Sequence, residues 1–92
     1  MLELSTVLKQ STNQVSCNLN DEIAILHLDR TVYFGLEGVG ALVWQALEQP
    51  RSVASLCKLI LDDFEVAPAE CEADMVKFLN SMQDVGLIEV AK

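Results

Sequence analysis

Few residues in this 92-residue chain combine the type and the spacing that catalysis needs. A hydrolytic or thiol-based site requires a histidine that moves protons to and from a serine or cysteine. The single histidine, His27, lies within the apolar run 23–28. We interpret it as a strand residue on the less buried face of a sheet. The sequence therefore predicts no catalytic residue and no enzyme activity.

The three cysteines, Cys17, Cys57 and Cys71, have no CxxC spacing, so neither a zinc site nor a redox motif is predicted. Cys57 and Cys71 fall on apolar helical stripes and are expected to act as small buried hydrophobes. An odd number of cysteines without a secretion signal predicts reduced thiols and a cytoplasmic location. The apolar runs are too short to cross a bilayer.

Two other clusters resemble ligand sites only in composition. Asp62, Asp63 and Glu65 lack the alternating oxygen ligands and the central glycine of a calcium loop. The glycine-rich segment 35–40 matches neither GxxxxGK[ST] nor GxGxxG, the patterns that hold phosphates. We interpret it as a strand-to-helix turn, and we expect no metal and no cofactor.

Composition narrows the class of partner. Hydrophobic residues make up 51% of the chain, which indicates a folded domain and leaves apolar surface for a partner. Fourteen acidic residues against six basic ones give a net charge of −8. Nucleic-acid binding depends on clustered Lys and Arg that displace counterions from phosphates, and these six form no cluster. Neither a nucleic acid nor a membrane is an expected partner.

Strand signals occupy the first third of the chain. Residues 15–19 alternate apolar and polar with a period of two, which predicts a half-buried strand. Asn20-Asp21 is a turn signal. The branched run 23–28 predicts a second strand, residues 29–31 close a hairpin, and residues 32–34 form a third strand.

Helical periodicity begins at Val39 and ends before Pro50, which cannot continue the hydrogen-bond ladder. Ser52 is predicted to cap a second helix, and Pro68 suits the first turn of a third. Gly86 is expected to end that third helix in a left-handed conformation, with Leu87 packing on Met82 as in a Schellman motif.

This order predicts an α+β fold in a single domain over residues 1–92. A three-stranded antiparallel sheet is followed by three helices, an arrangement like a winged helix-turn-helix. Such a small sheet is expected to leave one edge open. Open edges invite additional strands.

Segment 28–47 resembles the centre of the PqqD-like family. It contains a Leu-Asp pair, an aromatic-Gly-Leu run at 34–36, and a helix that carries Trp44. The opening of the second helix, the acidic third helix and the Gly86-Leu87-Ile88 ending extend the resemblance to about residues 14–90. The "PEG" segment of the founding member from pyrroloquinoline quinone synthesis is absent. Glu37 replaces a frequent asparagine, so the first helix is expected to be less firmly capped.

The resemblance implies a stand-alone RiPP recognition element of lasso peptide biosynthesis. It would bind the leader of a ribosomally made precursor peptide by strand addition and present it to a separate leader peptidase. Two alternatives stay open. One is a PqqD-like chaperone that delivers a precursor to a radical SAM maturase or other maturation enzyme. The other, from a different class, is a winged-helix nucleic-acid-binding regulator.

The resemblance also implies where the leader lies, in a groove between the third strand and the third helix. One wall would be the strand edge, and the other would be one side of the helix. The implied peptide-binding residues are Val32, Tyr33, Phe34, Glu72, Val76, Leu79, Asn80 and Gln83.

Overall fold

The computed structural model describes residues 2–20 and 22–91, with Val32 described by its backbone alone. The described residues form an α+β structure whose strands make two three-stranded antiparallel sheets. The elements are β1 (Val7–Gln10), β2 (Gln14–Leu19), β3 (Glu22–His27), β4 (Val32–Glu37), α1 (Gly38–Ala46), β5 (Arg51–Ser52), α2 (Val53–Asp63), α3 (Pro68–Asp84) and β6 (Ile88–Val90).

The first sheet, in the order β2-β3-β4, confirms the three strands predicted from the sequence. Its register places Leu26 of β3 between Val15 of β2 and Tyr33 of β4. Among the described residues, β4 pairs with β3 alone, so the other edge of β4 is open. At the β2–β3 turn, Asn20 has a φ of 58°, whereas its predicted partner Asp21 lies outside the described residues.

Alternation along β3 turns His27 towards the core. Ile23 and Ile25 are buried, and His27 follows on the same face with only 6% of its surface exposed. The prediction that His27 lies on the less buried face is therefore wrong. Its Nδ1 accepts a hydrogen bond from the Arg30 backbone N–H at 3.2 Å, so the buried imidazole orders the turn after β3.

Strand β2 also differs from the prediction. The pattern predicts a half-buried strand, and such a strand ordinarily buries its apolar positions, here Val15, Cys17 and Leu19. They point to the solvent side, where Val15 is 57% exposed and Leu19 is 49% exposed. The polar residues Ser16 and Asn18 pair instead with Ile25 and Ile23, on the side of the core.

The second sheet, in the order β5-β1-β6, was not predicted. Strand β1 lies in the middle and places Leu8 opposite both Arg51 and Val90. Leu8 is fully buried. In this sheet the first and last described strands, β1 and β6, pair with each other.

The N-termini of the helices follow the predicted signals. Glu37 is the N-cap of α1 and makes no side-chain cap hydrogen bond, in agreement with the expected weak start of this helix. The Ser52 hydroxyl accepts a hydrogen bond from the Ser55 backbone N–H at 3.1 Å at the start of α2. Pro68 opens α3, where its missing N–H leaves no hydrogen bond unmade.

The C-terminus of α3 has the predicted Schellman geometry. Gly86 has a φ of 81°. The Leu87 N–H donates to the Met82 carbonyl at 3.0 Å, and the Gly86 N–H donates to the Gln83 carbonyl at 3.0 Å. This turn directs the chain from α3 back into β6.

Helices and sheets share one apolar core, which fixes α1 and α3 relative to β4. Trp44 is buried in this core, with 2% of its surface exposed. No helix among the described residues has the length and hydropathy needed to span a membrane. The fully buried large side chains are Leu8, Ile25, Leu47, Leu56, Leu79, Leu87, Val43 and Val53.

Candidate functional site

A cavity of about 560 Å³ opens beside the C-terminal half of β4. Strand β4, both neighbouring helix ends and the first half of α3 supply its walls, and most of the lining side chains are apolar. Its size lies within the range of pockets that bind small ligands, so it has ample room for a large side chain. The lining residues are Gly35, Leu36, Glu37, Val39, Gly40, Val43, Ile60, Phe64, Val66, Cys71, Asp74, Met75 and Phe78.

Phe78 is the point where α3 meets α1 and β4. A Cβ at Gly40 would lie 3.5 Å from Cε1 of Phe78 and 3.7 Å from Cδ2 of Leu36. The three residues are therefore packed together at one end of the cavity. A Cβ at Gly40 would make ordinary van der Waals contact with the Phe78 ring, which therefore lies against the first turn of α1.

The side of α3 that lines the cavity carries Cys71, Asp74 and Phe78, at spacings of three and four residues. Four residues implied as the helix wall, Glu72, Val76, Asn80 and Gln83, are absent from the lining. Val76 lies two residues from both Asp74 and Phe78, and positions two apart do not share a helix face. The fifth, Leu79, is fully buried in the core between the two sides.

The implied strand residues occupy both faces of β4. Tyr33 is 60% exposed and points away from the core. Phe34 is half-buried and packs against the core cluster. Val32 contributes its backbone to the strand, opposite His27, and its side chain lies outside the described part of the structure. The backbone of β4 thus offers an open edge that leads towards the cavity at Gly35 and Leu36.

The charge at the cavity is purely acidic. Of the lining residues, Glu37 and Asp74 are acidic and exposed, and none is basic. A mostly apolar lining that contains acidic but no basic residues suits a large apolar group that has a cation beside it.

The described residues hold no arrangement for acid–base or nucleophilic chemistry around this cavity. His27 is not among the lining residues. Cys71 lines the cavity, but its Sγ lies 3.8 Å from the Cys57 carbonyl oxygen rather than near a base. The same part of the chain contains no group of three or more His, Cys, Asp or Glu residues that could hold a metal ion.

Burial makes the Cys57 thiol unreactive. Desolvation, reinforced by the neighbouring Cys71 and Glu72, raises the pKa of Cys57 from 9.0 to about 11. Because the pKa is higher in the folded state, protonation of this thiol contributes to the free energy of unfolding, and that contribution is fully present below pH 9. It decreases as the pH rises through 11.

We therefore expect one thiol to react quickly with a water-soluble disulfide reagent in the native protein. Cys17 is exposed, whereas Cys57 and Cys71 are buried. The thiolate that the reagent releases is measured by its absorbance. It should amount to one rapidly formed equivalent per protein at neutral pH and to three equivalents in denaturant. The Cys17→Ser variant is the control and should show no fast phase. Any fast thiol in that variant would contradict the burial of the two helical cysteines.

The family model of coenzyme PQQ synthesis protein D (PqqD) matches residues 22–88, which span β3 to the start of β6. The chain belongs to the PqqD family. No curated protein matches the sequence significantly. Membership identifies the chain as a non-catalytic binding domain, consistent with the chemistry of the cavity.

Two solved structures are similar to this PqqD-family domain. TbiB1 in complex with the TbiA(beta) leader peptide superimposes with a TM-score of 0.84 and 32% identity, over 88% of this chain and 94% of that chain. The lasso peptide synthetase B1 complexed with the leader peptide has a TM-score of 0.80 and 18% identity, over 89% and 96% of the two chains. At 18% identity, the second similarity establishes the fold.

Sequence reasoning missed several residues that build the site of this PqqD-family domain. Phe64, which is the C-cap of α2 and is 42% exposed at the cavity, was not predicted as a site residue. Val66 and Asp74 were not singled out. An apolar pair, Phe64 and Val66, in the α2–α3 connection was the available signal, since connections are usually polar.

Proposed function

We propose that this domain binds the leader of a ribosomally made precursor peptide as an added strand on the open edge of β4. It would then present the peptide to a separate maturation enzyme. The observation that carries this proposal is the continuity of that edge with the apolar cavity. Backbone groups along β4 supply hydrogen bonds, and the cavity takes a large apolar side chain of the guest.

Strand β2 is the competing edge, and the structure favours β4. Next to β4, α3 and α1 provide an apolar wall through Phe78 and Val39. Strand β2 contributes no residue to this cavity, and its core-side residues Ser16 and Asn18 are exposed. Backbone pairing alone gives little selectivity, so a guest gains most where side-chain pockets accompany the edge.

The comparisons support the same ligand class. TbiB1, at 32% identity over most of both chains, was solved with a leader peptide bound. We propose the lasso branch in particular, with a leader peptidase as partner and a cytoplasmic location. The Tyr33-Phe34-Gly35-Leu36 run and Trp44 support this branch. Delivery of the precursor to a radical SAM maturase is the alternative within the same class.

Two sides of α3 are candidates for the surface that contacts the guest peptide. Truncating one residue on each side to alanine distinguishes them. The residues implied by sequence, Glu72, Val76, Leu79, Asn80 and Gln83, place the guest on one side of α3. The cavity favours the Phe78 side, because Phe78 is one of its lining residues. Phe78 and Val76 are both half-buried apolar residues of α3, so Val76→Ala serves as the control on the other side of the helix.

We expect Phe78→Ala to weaken binding of the cognate leader about tenfold, because the substitution removes an anchor beside the cavity. Val76→Ala should change the affinity less than about threefold. Fluorescence anisotropy of a labelled leader would measure both, with urea denaturation to confirm folding. A larger loss with Val76→Ala would establish the wall implied by sequence.

Amide hydrogen exchange supplies an independent check of strand addition. Leader binding should slow exchange of the outward-facing β4 amides, while those on the open edge of β2 exchange as before. Protection confined to β2, or no protection on either edge, would rule out the proposed mode.

A further inference from the structure

The first sheet has an apolar face that the helices do not cover. This outer face comprises the side chains of β2, β3 and β4 that point away from the core. Val15, Leu26 and Tyr33 form one row across the three strands and are 57%, 38% and 60% exposed. Cys17, Ala24 and Gly35 form the next row, so a row of small residues lies beside the row of larger ones.

The alternation of β2 is inverted relative to an ordinary half-buried strand. Antiparallel strands usually turn apolar residues to the core and polar residues to water. In β2 the apolar Val15, Cys17 and Leu19 face water, whereas Ser16 and Asn18 lie on the core side. A register shift of one residue would reverse this arrangement. The observed register therefore keeps an apolar surface exposed, which is typical of a docking site.

Charge indicates what can cover this face. Glu22 and Glu37 lie opposite each other at one end of it, and none of the paired positions that form the outer face is basic. Like charges in direct cross-strand contact repel, and a cation from a partner would relieve that repulsion. A second copy of this chain, with its own net charge of −8, is a poor match.

We propose that the outer face docks the enzyme that processes the bound peptide, through an apolar patch bordered by Lys or Arg side chains. This inference rests on the proposed function, because a domain without catalytic groups needs another protein to act on its peptide. Alternate side chains of a strand added to β4 would extend the outer face beyond Tyr33. The enzyme would thus contact the domain and its peptide together.

The test uses the intact domain, the labelled cognate leader and the purified leader peptidase that cleaves that precursor. In Val15→Thr/Leu26→Thr, the outer face becomes polar while the residues keep a strong preference for strands. We expect this variant to bind the peptidase at least about tenfold more weakly and the leader within about twofold of wild type. Val90→Thr is the matched control, since Val90 is an exposed strand valine in the other sheet.

The acidic end of the face is tested separately. Glu22→Gln, or a rise from about 0.05 to about 0.5 M NaCl, should weaken peptidase binding by about threefold or more, because each removes or screens the carboxylate attraction. If peptidase binding does not depend on salt, the partner does not carry the proposed Lys or Arg side chains around its apolar patch.

Three outcomes separate this inference from the proposed function. In the first outcome, the wild-type domain does not bind the leader but binds the peptidase, and the double substitution weakens peptidase binding. This result would contradict the proposed function and support the docking face. Equal peptidase binding by wild type and the double variant would overturn the face. Concentration-dependent dimers that disappear in the double variant would assign it to a second copy instead, and would also overturn the inference.

Discussion

Val39→Asp is expected to weaken leader binding by about 30-fold while leaving the fold intact. Val39 lines the cavity and is 41% exposed when the domain is free. A guest side chain in the cavity would strip water from an aspartate there, and the nearby Glu37 and Asp74 offer no compensating cation. Burying an unpaired charge in this way costs about 2 kcal/mol or more, which corresponds to about 30-fold in affinity.

The same substitution should not destabilise α1. The first turn of this helix contains no acidic residue, and its N-cap makes no side-chain hydrogen bond. An aspartate in that turn interacts favourably with the helix dipole by about 0.3–1 kcal/mol. Thermal unfolding and anisotropy titration would measure the two effects side by side.

Val39→Asn is the control for charge. It has nearly the same size as aspartate but carries no charge, so its loss of affinity should be much smaller. If Val39→Asp folds normally and binds the leader as tightly as wild type, the cavity does not hold any part of the guest.

Gly86→Ala is expected to give the largest loss of stability among the glycine substitutions, about 2–3 kcal/mol. A left-handed backbone costs a residue with a side chain about 1–2 kcal/mol. Gly86 has a φ of 81°, and a Cβ there would lie 2.8 Å from Nε2 of His27. His27 is buried, so it cannot turn away without disturbing the core.

Gly38→Ala isolates the backbone contribution. Gly38 also has a positive φ, of 60°, but a Cβ there would meet no atom within 4 Å. Its loss should therefore be about 1 kcal/mol, which corresponds to a fall in Tm of about 4–8 °C for a domain of this size. Equal losses for the two glycines, measured by urea denaturation, would show that the contact with His27 has no energetic effect.

Local signals predicted most of the elements because the forces behind them are local. The Ser52 cap, the position of Pro68 at the start of α3 and the Gly86 turn each depend on residues within a few positions. The second sheet depends on pairing between Leu8 and Val90, which are distant in sequence and belong to very short strands. No period in so few residues distinguishes such strands from irregular chain.

The errors within predicted elements have a different cause. A pattern identifies the two faces of a strand, but the rest of the fold decides which face is covered. The exposed Val15 and Leu19 on β2 illustrate this. His27 could have been placed correctly, because it shares alternation with Ile23 and Ile25.

The site could be predicted only in part. The open edge at Tyr33 follows from the small sheet and the family resemblance, and the topology confirms it. The cavity could not be predicted, because it forms where the ends of several elements meet. An amphipathic α3 has two sides next to its buried stripe, and the sequence does not specify which of them lies beside β4.

The pairing of β1 with β6 brings the first and last described strands side by side. Leu8 lies opposite Val90, so the two segments are separated by one inter-strand distance, about 5 Å. A larger protein could therefore carry this unit as an insertion, with very short connections and little disturbance of the host. These paired strands belong to the sheet that does not contain the open β4 edge, so a partner joined beside them would leave that edge free.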